Sequence, residues 1–128
     1  MAKLESKKIL LIDDDPTFID ISTRGFKEAK INFATAFNGI EAMEKAKSEK
    51  PVLILLDIMM PGIDGFAVLS KLKQDPATNK IPVWMITNLP GEMNKKLANS
   101  LGAADYLVKA ENPPSKVCEK INSYLTSI

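Results

Sequence analysis

The chain has 128 residues, 26% of them charged and 45% hydrophobic, with a formal net charge of +1; this is the balance of one compact domain with no bulk attraction to nucleic acid. It has no histidine and one cysteine, which excludes a histidine base, a histidine metal ligand, a phosphohistidine of its own and an internal disulfide, and suits a reducing cytoplasmic compartment. No apolar run approaches the ~20 residues that span a bilayer, and the polar stretch Met1 to Lys8 lacks the apolar core of a signal peptide.

The segment Lys7 to Asp13 holds the run Ile9-Leu10-Leu11-Ile12, which predicts a strand buried on both faces, as in a parallel sheet. Asp15-Pro16 starts a helix, with Asp as cap and Pro in the first turn, that runs to about Lys30. Ile31 to Ala36 is a second, weaker strand. Asn38 and Glu41 form a capping pair for a helix to about Ser48, which Lys50-Pro51 breaks. Val52 to Leu56 is a third buried strand ending at Asp57. Pro61-Gly62-Ile63-Asp64-Gly65 is a turn, with Asp64 capping a helix to about Gln74. Ile81 to Ile86 is a fourth strand, Pro90 to Leu101 a helix closed by Gly102, and Asp105 to Lys109 a short fifth strand. Pro113-Pro114 opens a last helix whose Val117, Ile121 and Leu125 recur at spacing four, with Cys118 beside them as a small hydrophobe. Strand and helix alternate five times, which predicts an α/β three-layer domain with a parallel five-stranded sheet, spanning residues 1–128 as a single domain with no output domain.

Ligands of open parallel sheets bind beyond the carboxyl ends of the strands, where strand order reverses. The residues at those ends are Asp13, Asp14, Asp57, Thr87 and Lys109. If strands one and three are neighbours, Asp13, Asp14 and Asp57 converge. Carboxylates that close raise one another's pKa unless a cation joins them, and the hard, oxygen-seeking Mg²⁺ is the cation such a set favours. Thr87 offers a hydroxyl and Lys109 an ammonium to a tetrahedral anion beside the metal.

Over essentially its full length the chain resembles the receiver domains of two-component response regulators, the chemotaxis-type stand-alone receiver above all. The resemblance rests on ILLIDDDP (Ile9 to Pro16), LLDIMMPGIDG (Leu55 to Gly65), IPVWMIT (Ile81 to Thr87) and GAADYLVK (Gly102 to Lys109), in order and at the family's spacing. It implies a flavodoxin-like (βα)5 fold of strand order 2-1-3-4-5. Asp57 is then the phosphoacceptor, and Mg²⁺, for which Mn²⁺ substitutes, is held by Asp13, Asp14, Asp57 and the backbone carbonyl of Met59. Lys109 pairs with Asp57 before transfer, Thr87 swings onto a phosphoryl oxygen, and Tyr106 rotates inward behind it. The implied partners are a histidine kinase or histidine phosphotransfer protein, and a downstream protein at the face of helix four, strand five and helix five. The implied state is a monomer or a phosphorylation-dependent dimer, without nucleic acid or membrane. The implied role is signalling rather than enzymic turnover, although the domain catalyses its own phosphorylation and slow dephosphorylation.

Two positions depart from the family pattern. Asn88 stands where a small residue usually follows the switch hydroxyl, and Ala110 where a proline with a cis bond usually follows the lysine. A cis bond without proline costs about 3 kcal/mol, so a trans bond is expected. Met59 and Leu89 flank the path of the hydrolytic water in this family, and two apolar side chains there imply slow loss of the phosphoryl group. Two rival readings remain at this level. Asp13-x-Asp15-x-Thr17 also resembles the opening motif of haloacid-dehalogenase-type phosphatases, with Asp13 as nucleophile, but that leaves Asp57, the Pro61 to Gly65 turn and Lys109 unexplained. A phosphate-independent interaction module leaves the cluster of like charges without a purpose.

Overall fold

The computed structural model describes residues 7–60, 62–89 and 91–128; expectations that fall on residues 1–6, on Pro61 and on Pro90 lie outside the described residues. Five strands, β1 (Lys8–Ile12), β2 (Asn32–Ala36), β3 (Leu53–Leu56), β4 (Val83–Thr87) and β5 (Asp105–Val108), alternate with five helices, α1 (Pro16–Glu28), α2 (Gly39–Ser48), α3 (Gly65–Gln74), α4 (Glu92–Ser100) and α5 (Pro114–Ser127). The sheet is parallel throughout, in the order β2-β1-β3-β4-β5. This is the expected flavodoxin-like order.

Alternate side chains of a strand point to opposite faces, and the core divides accordingly. Leu10, Ile12, Ile54, Leu56, Val83 and Met85 pack with Ala42, Ala46, Val68, Leu69, Leu72 and Ala98, the inward residues of α2, α3 and α4. Ile9, Leu11, Leu53, Leu55, Trp84 and Ile86 pack with Ile19 and Phe26 of α1 and Val117, Cys118, Ile121 and Leu125 of α5. Helices therefore cover both faces, which is why β1 and β3 read as unbroken apolar runs. β2 is an edge strand and keeps its first four residues partly in water, hence its weaker signal. Cys118 sits in the α1–α5 layer as expected, and burial pushes its thiol up in pKa.

The caps fall where the sequence places them. Asp15 accepts from the Thr17 amide at 3.0 Å, Asn38 from Glu41 at 2.8 Å and Asp64 from Ala67 at 3.0 Å. Helix ends differ more. α1 stops at Glu28 because Lys30 turns left-handed, at φ 60°. The Lys30 and Ile31 amides then donate to the carbonyls of Lys27 and Phe26, the paired bonds of a Schellman ending, without the glycine that usually announces one. α4 ends in the same way, with Gly102 at φ 104° and its amide on Asn99. α4 begins at Glu92, with Gly91 as its N-cap residue. β4 starts at Val83, two residues later than expected, and Lys109 falls beyond β5 in a short 3-10 turn, Lys109–Glu111. Among the described residues no helix is long and apolar enough to cross a membrane.

Candidate functional site

Register builds the site. Ile12 pairs with Leu56 across β1 and β3, so the residues that follow, Asp13 and Asp57, leave the sheet side by side. Their backbones are pinned by the Asp13 amide donating to Ala36 and the Asp57 amide donating to Ile12, each at 3.0 Å. Asp14 comes one residue later and is half-buried. Each of Asp13, Asp14 and Asp57 offers a carboxylate oxygen within 4.8 Å of the others. On the other side of β3, Thr87 ends β4 opposite Val108 of β5, so Lys109 follows at the same edge. All five expected polar residues thus meet at the carboxyl end of the sheet.

Burial dominates the electrostatics. Asp13 is fully buried, and Asp57 nearly so. Burial pushes the Asp13 carboxyl above its ordinary pKa, with the charge of Asp57 adding to the shift; hydrogen bonds from Lys109 and the Asp15 amide offset part of it. The Lys109 side chain is only 12% exposed, and its ammonium lies 2.7 Å from Asp13 Oδ2 and 3.4 Å from Asp57 Oδ2. The resemblance implies Lys109 pairing with Asp57. Here the shorter bond goes to Asp13, the carboxylate with no access to water and the greater need of a counter-charge. Asp57 Oδ1 meanwhile faces the Met59 amide at 3.4 Å. The donor set fits a hard divalent cation: three carboxylates, two of them deeply buried, with the Lys109 ammonium shared between Asp13 and Asp57.

Thr87 and Tyr106 are linked through the β4–α4 loop. Thr87 is buried and its hydroxyl accepts from the Leu89 amide at 3.2 Å. The hydroxyl of Tyr106 donates to the Leu89 carbonyl, so Leu89 bridges Thr87 and Tyr106 through its backbone while its side chain packs on the core. Burial raises the Tyr106 phenol in pKa, and the charge of Asp57 adds to the effect. Met59 is 60% exposed at the rim. Asn88 points outward and lines a groove with Phe18, Lys109 and Ala110. The described residues contain no cis peptide, so the Lys109–Ala110 bond is trans, as expected. The chain then turns through the 3-10 segment, where Asn112 Nδ2 holds the Val108 carbonyl at 2.9 Å.

Two contributors escape sequence reasoning. The ring of Phe18 lies under Lys109, with the ammonium 3.9 Å from its centroid; in the series Phe18, Ser22, Phe26 it reads as a residue of the buried stripe. Gly65 reads as a turn glycine, yet a Cβ there would lie 2.1 Å from the Asp57 carbonyl oxygen. The spacing of Asp57 and Gly65 is the only signal in the sequence, and it does not say that the two backbones touch.

Comparison with known proteins agrees with this geometry. The model of the response regulator receiver domain matches residues 9–122. The alkaline phosphatase synthesis transcriptional regulatory protein PhoP of Bacillus subtilis is 37% identical over 108 residues, 84% of this chain and 44% of that protein. The chain therefore spans less than half of this relative. Among solved structures, the receiver domain of a DNA-binding response regulator (merR) from Colwellia psychrerythraea superposes with a TM-score of 0.85 at 30% identity, covering 95% of this chain and 99% of that one. The Mn²⁺-bound form of response regulator Rcp1 superposes with a TM-score of 0.80 at 28% identity, covering 95% and 96%. With four motifs, the strand order and the acidic crevice in agreement, the chain belongs to the response regulator receiver domain family.

Proposed function

We propose that Asp57 accepts a phosphoryl group from the phosphohistidine of a histidine kinase or a histidine phosphotransfer protein, and that the phosphorylated domain signals to a protein partner. The observation that carries this is the geometry of three carboxylates within 4.8 Å of one another, with an ammonium 3.4 Å from Asp57. A carboxylate oxygen of Asp57 attacks phosphorus in line as the bond to the imidazole nitrogen breaks, and the proton that neutralises the imidazole stays with the partner. With acetyl phosphate the leaving group is acetate.

The residues that would hold Mg²⁺ are Asp13, Asp14, Asp57 and the backbone carbonyl of Met59, with Mn²⁺ as a substitute. The ion supplies charge neutralisation to the transferring oxygens. Lys109, its ammonium 3.4 Å from Asp57 Oδ2, would add a second positive charge to the transferring oxygens. Thr87 presents its hydroxyl to the new phosphoryl group. Because Thr87 and Tyr106 are both tied to Leu89, a shift of Thr87 is felt at Tyr106 and so at the face of α4, β5 and α5. Phosphate then favours one of two arrangements by its differential contacts. This face is the docking surface for the downstream partner, or for a second copy.

Intact mass after incubation with acetyl phosphate, with and without Mg²⁺, tests the reading on wild type, Asp57→Asn and Asp13→Asn. One Mg²⁺-dependent phosphoryl adduct that Asp57→Asn lacks is the expected result. An adduct kept in Asp57→Asn and lost in Asp13→Asn would make Asp13 the nucleophile and overturn it. No adduct under any condition would leave a phosphate-independent docking module.

A further inference from the structure

Lys109 has a partner besides the carboxylates that the transfer reaction leaves unused. Its ammonium hydrogen-bonds to Asp13 and Asp57 and also lies over the face of Phe18. We propose that Phe18 is a positioning residue for phosphoryl transfer, its ring face keeping the Lys109 ammonium in the crevice once the carboxylates are engaged by a cation. The proposal rests on the reading of the site given above.

A cation and the Lys109 ammonium compete for the same carboxylates. Asp13 makes the shortest bond to Lys109, and Asp13 is also one of the three carboxylates that converge as candidate ligands. A dication among those carboxylates consumes the negative field that holds the ammonium and repels the ammonium directly. Lys109 stands on a short turn at the end of a flexible four-carbon stem, and a groove opens beside it, lined by Phe18, Asn88, Ala110 and Asn112. Without another anchor the ammonium is free to leave for that groove and for water. The aromatic face is such an anchor. It attracts a cation through the ring quadrupole, most strongly where water is excluded, and it offers nothing to a hard metal ion, so its hold survives when that of Asp13 is lost. The ring is itself held, because Phe18 lies in the first turn of α1, behind the Asp15 cap and Pro16, and packs on the α1–α5 core.

The test keeps the shape of the ring and drains its face. Mono-, di- and trifluorophenylalanine at position 18 should slow Mg²⁺-dependent adduct formation from acetyl phosphate stepwise at unchanged melting temperature. Phe18→Leu should slow it about fivefold to thirtyfold, the range between a partly and a fully desolvated cation–π pair. A second readout needs no phosphorylation. In NMR spectra the Cε protons of Lys109, assigned with Lys109→Arg, should be shifted upfield by the ring current both with and without Mg²⁺, and should return to the free-lysine position in Phe18→Leu. A rate that stays flat across the fluorinated series, or a Lys109 signal at the free-lysine position in Mg²⁺, would overturn the proposal. Were wild type to form no adduct at all, the phosphoacceptor reading would fall, and the Lys109 shift alone would then uphold or overturn the placement.

Discussion

Replacing Gly65 by alanine separates close backbone packing from ordinary turn chemistry. Gly65 opens α3, and its amide donates to the Ile58 carbonyl at 2.7 Å. An added Cβ would meet the Asp57 carbonyl oxygen at 2.1 Å, Ile58 Cα at 2.6 Å and Asp57 carbonyl carbon at 2.8 Å. All three are backbone atoms of the β3 exit, which is pinned to β1 through the Asp57 amide, so no side chain can swing aside. Relief requires opening the gap between α3 and the β3 exit by roughly 1 Å. Overpacking a methyl group costs about 1–3 kcal/mol, and this contact belongs at the upper end. Alanine returns up to about 1 kcal/mol as the better helix former. The net destabilisation is about 2 kcal/mol, which for a domain of this size lowers the melting temperature by about 8 °C. Because the displaced atoms carry Asp57, adduct formation from acetyl phosphate at a temperature where the variant is folded should also fall, by about tenfold to a hundredfold for a shift near 1 Å. Gly62→Ala is the control. Its φ of 85° strains alanine, but a Cβ there meets nothing within 4 Å, so it should cost about 1 kcal/mol and leave the adduct rate unchanged. Circular dichroism melts and intact-mass kinetics measure both. A Gly65→Ala protein that melts within about 2 °C of wild type and phosphorylates at its rate would refute the close-approach argument.

Lys30→Gly should stabilise the protein by about 0.5–1 kcal/mol, because Lys30 sits left-handed at φ 60° where glycine carries no steric penalty; a lower melting temperature would contradict the Schellman assignment. Burial raises both phenols, Tyr106 and Tyr124, above the ordinary value of about 10. A raised folded pKa means this stabilising contribution is complete below about pH 10 and drains away as pH climbs through the folded values. Phenolate absorbance should therefore rise with a midpoint above the ordinary value of about 10. A midpoint at or below 10 in protein still folded by circular dichroism would refute it. Finally, the double variant Met59→Asn/Leu89→Glu should lose its phosphoryl group severalfold faster than wild type, because it replaces the exposed apolar side chain of Met59 and the partly buried one of Leu89 by polar groups that admit water; an unchanged half-life by intact mass would count against that assignment.

Much of the site was legible because its signals are local. An apolar run that ends in carboxylates says where a buried strand leaves the sheet, as at Ile12-Asp13 and Leu56-Asp57. A cap such as Asp64 is read from its own neighbours. Element ends were less legible, because the deciding interaction lies elsewhere. α1 stops at Glu28 through a left-handed lysine, and no propensity predicts that residue there. Lys109 lies past β5, where the chain turns through Lys109–Glu111 and the Asn112 side chain, three residues on, donates to the Val108 carbonyl.

The sequence by itself determined the order of strands and helices, the two-faced burial of β1 and β3, and which residues stand at strand ends, since periodicity, capping and apolar runs depend on neighbours along the chain. It also excluded histidine chemistry outright. The tertiary structure alone decided the rest: that Lys109 rests closer to Asp13 than to Asp57, that Phe18 lies beneath its ammonium, and that Gly65 touches the backbone of Asp57. Those are distances between elements far apart in the chain. They are fixed by sheet register and by how helices settle on its faces, and no pattern of neighbouring residues encodes a separation of an ångström between parts that meet only when the whole domain packs.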